Sequence, residues 1–488
     1  MITLQTEKNV DVLRQVGLLL LSENDRLLDR VRQLAREIAE LRGLNAAQLE
    51  FDLFAELAAR DALLASAAPA GSSVTAAERE RPPQHGHGPR AQASLPVVEV
   101  RHELPATART CAACGGQLEE MSGQAEESEE ITVVERRFEV RKHLRLKYRC
   151  GCNGCVATAP GPAKLIVGGR YAPEFAVEVA VDKYLDHQPL ERQARAMGRE
   201  GLAVDSHTLW DQLNAAAHHL APTYWALQDL ALKSPVIHVD ETRWPLLDKE
   251  QSAKWSKWTV STAEVAFYRV TDGKSAVEGQ QVLRNYHGIV VADGFGVYEK
   301  LSRGDPGLRL GNCWAHARRK FEEMRENFPR AAEEMLGLIR ELYAAEAEVS
   351  KPFALDQASL ARRAAIREDV SRPLTEKIRD WCNAQLALPR SDLGLAIGYV
   401  LSRWEGLTLF LSEPRVPLDN NAAERSLRGP VVGRKNHYGS KSKRGTEVAA
   451  LFYTLCETAK LRQVNPKAYL REALLAAISK PGTVTLPA

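Results

Sequence analysis

The chain lacks any apolar run approaching the ~20 residues that a membrane span requires. The run from Val16 to Leu21 is too short and too badly flanked for a signal peptide, so an intracellular protein with no membrane partner is expected. Net charge is nearly missing too: 65 Lys and Arg against 63 Asp and Glu leave +2, so any affinity for a polyanion must come from local patches. Cysteine is scarce, with 8 in 488 residues, yet five of these fall between Cys111 and Cys155. A hydrophobic content of 44% with 26% charged residues is otherwise ordinary for a globular protein, and the length allows about three domains.

One absence is local. From Arg425 to Arg444 the chain carries seven Lys or Arg and no Asp or Glu, with His437, Tyr438 and three glycines interleaved. Such a stretch can lie against a phosphate backbone. Glu424 stands alone at its head, a setting that suits a metal ligand beside a polyanion. The pattern predicts a short helix opened by Asp419 or Asn420 and stopped by Gly429-Pro430. The alternative is a solvated helix in which Glu424 pairs with Arg428.

Two upstream segments supply companion acids. In PVIHVDETRW the apolar run Val236, Ile237, Val239 reads as a buried strand ending at Asp240, and in GIVVADGFGVY the run from Ile289 to Ala292 ends at Asp293. Side chains at such strand ends project into the crevice where ligands bind. Asp293-Gly294 is also a hairpin signal, Asp240 could open a turn, and Glu241 is a rival ligand. Taken jointly, the three acids suit two Mg²⁺ (or Mn²⁺) ions that activate a water or 3′-hydroxyl and stabilise the leaving oxygen of a phosphodiester.

The motifs HVDET at His238 to Thr242, ADGFGVYEKL at Ala292 to Leu301, CWAHARRKF at Cys313 to Phe321, DNNAAERSLR, GRKNHYGS and NPKAYL together resemble the insertion sequence 66 family of DDE transposases, the TnpC type. The resemblance covers most of the chain. It implies a ribonuclease H-like catalytic core in which Asp240, Asp293 and Glu424 form the metal-binding triad. It also implies a bacterial, cytoplasmic, nucleoid-associated enzyme that cuts and joins the ends of its own mobile element. The partners would be double-stranded DNA, as terminal inverted repeats and target, and accessory proteins of the same element. Arg318, Arg319, Lys320, Arg425, Arg428, Arg434, Lys435, Lys441, Lys443 and Arg444 are the expected DNA contacts. An inactive DNA-binding regulator and a structure-specific nuclease are the competing readings.

The fold expected is multidomain α/β, with a mixed five-stranded sheet flanked by helices. Residues 1–65 read as a coiled coil, because Leu13, Leu20, Leu27, Leu34 and Leu41 recur every seven residues, with Val31 and Ile38 at the alternate seam position. That pattern favours a parallel homodimer or higher oligomer, with Asn24 fixing register. A helix packed on its own domain is the alternative. Residues 66–100, rich in Ala, Ser, Pro, Gly and His, read as a flexible linker.

Residues 101–165 read as a zinc ribbon. Cys111, Cys114, Cys152 and Cys155 are the favoured ligands of a structural Zn²⁺, and Cys150 is a rival. The intervening VVERRFEVRKHLRLKY is expected to form strands, and its basic residues suggest a DNA-facing surface. Residues 166–230 are helical, with a candidate helix-turn-helix between Pro189 and Leu220. The catalytic domain spans 231–445, divided by a helical insertion at about 322–415, and 446–488 supply closing helices. Within it, Cys313 and His316 form a C-x-x-H that lacks further metal ligands nearby in sequence. A Cys buried beside a His near phosphate or a catalytic carboxylate, or a structural pair, is the reading. Trp244, Trp255 and Trp258 are expected in the core.

Overall fold

The computed structural model describes residues 15–20, 22, 23, 26, 137–149, 156–247, 255–348 and 356–488. The linker, most of the leucine heptads and Cys111, Cys114, Cys150, Cys152 and Cys155 lie outside the described residues.

Two short antiparallel strands, β1 (Lys147–Arg149) and β2 (Val156–Thr158), bracket the cysteine-bearing stretch 150–155. The preceding residues 137–146 form no strand, contrary to expectation. Val140, Leu144 and Leu146 are all exposed, and Phe138 alone of the apolar residues described there packs on the core, against Phe175, too little to hold a sheet together.

Three helices follow: α1 (Pro173–Tyr184), α2 (Leu190–Arg199) and α3 (Ser206–Ala231). Asp205 caps α3 by accepting the Thr208 N–H at 2.7 Å. Leu209, Leu213, Ala216, Leu220, Tyr224 and Leu227 form a buried stripe along it. The α2–α3 pair is therefore built into the main core, and that core runs across residue 230 without a break.

Strands β3 (Val236–Arg243), β4 (Ser256–Ser261), β5 (Ala266–Thr271), β6 (Gly288–Ala292) and β7 (Leu308–Asn312) form one mixed sheet in the order β5-β4-β3-β6-β7. β3, β4 and β5 are an antiparallel meander; β6 and β7 run parallel to β3. Helix α4 (Ala276–Leu283) precedes β6 and α5 (Gly296–Gly304) joins β6 to β7. Both faces of the sheet are covered, as the alternation in β6 records: Val290 and Ala292 enter one core, Ile289 and Val291 the other.

The second core belongs to a run of helices: α6 (Trp314–Glu323), α7 (Pro329–Ala347), α8 (Gln357–Ile366), α9 (Arg372–Ala384), α10 (Asp392–Ser402) and α11 (Trp404–Ser412). Leu336, Ile339 and Leu342 of α7 are buried on one face. Arg367, in a π-helical turn, is fully buried; it pairs bidentately with Glu346 at 2.6 and 2.8 Å and donates to the carbonyls of Phe410, Glu413 and Val416. It ties the insertion to the segment entering α12 (Asn421–His437). The segment 15–20 is helical and docks here: Gln15 is buried and bonds the Leu386 carbonyl, the Leu388 N–H and the Ser391 hydroxyl, whereas Leu20 is 63% exposed.

Helices α13 (Lys443–Leu461) and α14 (Pro466–Ser479) close the first core. An edge strand leaves backbone groups unpaired. On β5, Thr454 and Thr458 of α13 accept the N–H groups of Tyr268 and Ala266, and Tyr224 of α3 donates to the Tyr268 carbonyl. The closing helices thus share a core with the sheet. No helix among the described residues is long and apolar enough to cross a membrane.

Helix α12 overturns one expectation, since it does not stop at Gly429-Pro430 but runs on to His437. Pro430 has no N–H to give the Ser426 carbonyl, which would leave an orphan acceptor. The Tyr268 hydroxyl fills that place at 2.5 Å. The helix ends instead where Tyr438 and Gly439 take positive φ, and a Cβ at Gly439 would strike the Pro245 carbonyl.

Candidate active site

Asp240 and Asp293 are brought together by strand register. Ile237 lies beside Val290 and His238 beside Val291, so two residues on, Asp240 and Asp293 are neighbours on parallel strands about 4.8 Å apart. Asp293 follows the last residue of β6, but β3 does not end at Asp240 as expected: it runs on to Arg243, held by its pairing with β4. Both share the parity of Ile289 and Val291 and so face the insertion. β6 continues through Asp293 into α5, which removes the hairpin alternative. Asp293 Oδ1 accepts the Phe295 N–H at 2.9 Å. Gly294 admits Arg403 and Tyr399 from α10 and its C-cap over this turn; a Cβ there would lie 2.7 Å from each.

Glu424 arrives from far downstream, and Asn420 places it. Asn420 is fully buried and is the N-cap of α12, but its side chain serves β3: Oδ1 meets His238 Nδ1 at 3.0 Å, and Nδ2 donates to the Val239 carbonyl at 2.8 Å. With Nδ2 committed to a carbonyl, Oδ1 requires the proton on His238 Nδ1. Burial lowers the His238 pKa to about 4, so the ring is neutral at neutral pH. Four residues on, Glu424 is one helical turn from this anchor. Ser426 pins the next turn to β4 through Thr259 and Ser261 at 3.0 and 2.9 Å, and Thr259 is the register partner of Asp240.

Electrostatics report the convergence. The Asp240 carboxyl is raised to about 7, first by burial, then by Glu241, with Asp293 and Glu424 adding to the push; the Glu241 N–H that Asp240 accepts works against it. Glu241, on the opposite parity, takes the Tyr298 hydroxyl at 2.7 Å and is thereby committed elsewhere. Glu424's ion-pair partner is His316, at 3.8 Å, and not Arg428. Neither Glu424 Oε1 nor His316 Nδ1 makes a hydrogen bond, although both atoms are buried. A donor set of carboxylate oxygens, one of them unpartnered, fits a hard divalent cation.

Among the described residues, the three metal-ligating atoms that lie within 4.8 Å of one another are those of Cys313, His316 and Glu424. The oxygens of Asp240, Asp293 and Glu424 are spaced more widely than that. The sequence pattern located Cys313 and His316 but found them no third partner; Glu424, over a hundred residues away, supplies it.

The basic residues divide. Arg425, Arg428, Lys435, Lys441 and Lys443 are exposed. Arg434 turns inward instead, binding the Thr242 hydroxyl at 2.9 Å and the Arg243 carbonyl, so it ties α12 to the end of β3. Arg444 is held by Asn214 and Glu447. On α6, Arg319 is exposed, whereas Arg318 and Lys320 pair with Glu322 and Glu323.

Residues 168–448 match the family model described as Transposase IS66 family. The chain belongs to the IS66 transposase family. Residues 108–153 match a second model, the zinc-finger binding domain of transposase IS66; the matched span takes in Cys111, Cys114, Cys150 and Cys152 and stops before Cys155. Two relatives come from Sinorhizobium fredii (strain NBRC 101917 / NGR234). The uncharacterized protein y4hP is 28% identical over 489 residues, covering 93% of this chain and 86% of its own. The uncharacterized protein y4jD is 30% identical over 395 residues, covering 77% and 76%. The transposase and zinc-finger domains together imply that the chain binds DNA.

Proposed function

We propose that this IS66-family protein cuts DNA strands at the ends of its own element and joins them to a target. Asp240, Asp293 and Glu424 would hold two Mg²⁺ (or Mn²⁺) ions in a ribonuclease H-like core. The observation that carries the reading is geometric: the β3–β6 register sets Asp240 beside Asp293, and Asn420 and Ser426 tie the helix that bears Glu424 to β3 and β4. The antiparallel meander continued by two parallel strands supports the ribonuclease H-like reading.

Bound there, the ions supply charge neutralisation at the attacking and leaving oxygens of a phosphodiester. The chain's own contribution is placement. Asn420 and Ser426 hold α12 so that Glu424 stays near Asp240 and Asp293. Arg425, Arg428 and Lys435, exposed on the same helix, position the DNA backbone, with Lys441, Lys443 and Arg319 extending the contact. A structural Zn²⁺ would be held by Cys111, Cys114, Cys152 and Cys155, with Cys150 as the rival ligand, and the N-terminal heptads would pair two copies of the chain.

The test uses a DNA fragment carrying the inverted repeats that flank the gene. Wild-type protein with Mg²⁺ should nick at the repeat ends and yield joined product with a target duplex. Asp240→Asn should bind the fragment equally well and leave it uncut. Cleavage by Asp240→Asn at the wild-type rate removes that residue from the mechanism, and cleavage without joining favours a plain nuclease.

A further inference from the structure

Cys313 directly follows β7 and is the N-cap of α6, and His316 is the third residue of that helix. An N-cap side chain and one three residues later lie over the same turn, as in a capping box, so C-x-x-H here turns sulfur and imidazole toward each other. The N-terminus of α12 meets the same place. The Asn420 N–H donates to Cys313 Sγ at 3.1 Å, and the Trp314 N–H donates to the Leu418 carbonyl. These two bonds bring Glu424 to the pair: His316 Nδ1 is 3.8 Å from Glu424 Oε1, and the three ligand atoms lie within 4.8 Å of one another. The nitrogen and oxygen are buried without hydrogen-bond partners.

Sulfur, imidazole nitrogen and one carboxylate oxygen make a donor set that Mg²⁺ disfavours. Mg²⁺ takes oxygen ligands in an octahedron, whereas Zn²⁺ and Co²⁺ accept mixed S, N and O donors with four-fold coordination. Three protein ligands leave one position for water, and the partial exposure of His316 and Glu424 leaves an approach from solvent.

We propose that Cys313, His316 and Glu424 form a second cation site that takes a thiophilic divalent ion such as Zn²⁺, and that an ion held there withdraws Glu424 from the carboxylate cluster. Binding releases the Cys313 thiol proton to solvent, and the thiolate keeps the Asn420 N–H bond. The site rests on its own geometry; its inhibitory consequence rests on the reading of Glu424 as a ligand for Mg²⁺. Zinc availability would then set the enzyme's activity.

The experiment strips the full-length protein of metal with a chelator, restores one equivalent of Zn²⁺ for the zinc ribbon, then adds Co²⁺ and follows the near-ultraviolet thiolate-to-cobalt charge-transfer band. A band is expected that Cys313→Ser abolishes, and His316→Gln should weaken Co²⁺ binding at least about tenfold. A Cys111→Ser/Cys114→Ser double variant should retain the band, which separates it from the zinc-ribbon cysteines. Circular dichroism and thermal melting establish that each variant is folded, and His316→Gln carries the test if Cys313→Ser is not. Absence of a band, or one that survives both Cys313→Ser and His316→Gln, overturns the site.

A second arm adds Zn²⁺ to the Mg²⁺-dependent cleavage reaction. Wild type should lose at least about tenfold in rate while Cys313→Ser keeps its own zinc-free rate, tenfold being the scale of even an outer-ligand change. Cys313-dependent cobalt binding without zinc inhibition overturns the sharing of Glu424 and leaves the site itself standing.

Discussion

Replacing Asp240 by Asn should make the Mg²⁺-free protein more stable, although it removes a residue assigned to catalysis. Asp240 holds its proton up to about 7 against an ordinary 3.8, because burial and then the charges of Glu241, Asp293 and Glu424 oppose its ionisation. Between 3.8 and about 7 the folded protein keeps a proton that the unfolded chain has released. Stability therefore falls as pH rises through that window, and the full penalty stands above it. The displacement corresponds to about 4 kcal/mol, an upper figure because local relaxation offsets part of it. At pH 5 less than half of that penalty has developed. Asn keeps the oxygen that accepts the Glu241 N–H, so the substitution removes charge and little else. Urea unfolding in buffer without added Mg²⁺, followed by tryptophan fluorescence, reads the difference. All 8 tryptophans lie between Trp210 and Trp404, so the signal reports the unit that carries the site. Asp240→Asn should gain several-fold more over wild type at pH 8 than the small gain it shows near pH 4. Equal or lower stability of Asp240→Asn at pH 8, or a gain that does not grow with pH, refutes the reasoning.

Asn420→Ala removes two buried hydrogen bonds, to the Val239 carbonyl and to His238 Nδ1; it should cost about 3 kcal/mol in the same urea assay and sharply slow cleavage. Unchanged cleavage would show that Glu424 needs no such anchor. Arg367→Ala strands Glu346 and three carbonyls, and a loss of about 3–5 kcal/mol is expected; a loss below about 1 kcal/mol contradicts the buried-strut account. Arg425→Ala/Arg428→Ala should weaken DNA binding and lower the slope of log affinity against log salt by about 2. Arg434→Ala, at an inward-facing residue, should lower stability more than that slope, and the reverse ranking would reassign it to the DNA face.

How much of this was legible in the sequence depended on how local each cause is. The apolar runs before Asp240 and Asp293 mark two strands by composition alone, and at Asp293 the strand also ends there; β3 runs three residues past Asp240 because β4 pairs with it, which the run does not show. The five-stranded mixed sheet expected of the fold is present. The lone acid Glu424 at the head of a basic helix stood out by charge. What stayed hidden was supplied by distant partners. Pro430 sits inside α12 because Tyr268, over 150 residues earlier, provides the hydrogen bond that proline cannot. Arg434 reads as one more cation in a basic run until β3 presents Thr242 to it. The edge of β5 is sealed by two threonines of α13 that no strand pattern points to. Cys313 and His316 gained a carboxylate only when α12 folded back over them. In the N-terminal segment, nothing local marked Gln15, two positions past Leu13, as a buried anchor on the insertion.

The central claim is that Asp240, Asp293 and Glu424 jointly hold divalent ions. Mn²⁺ binding to the full-length protein, read by loss of the free-ion signal in electron paramagnetic resonance, measures this directly. Wild type should bind Mn²⁺, and Asp240→Asn, Asp293→Asn and Glu424→Gln should each weaken that binding at least about tenfold while the protein stays folded. Mn²⁺ affinity unchanged in all three folded variants would contradict the account.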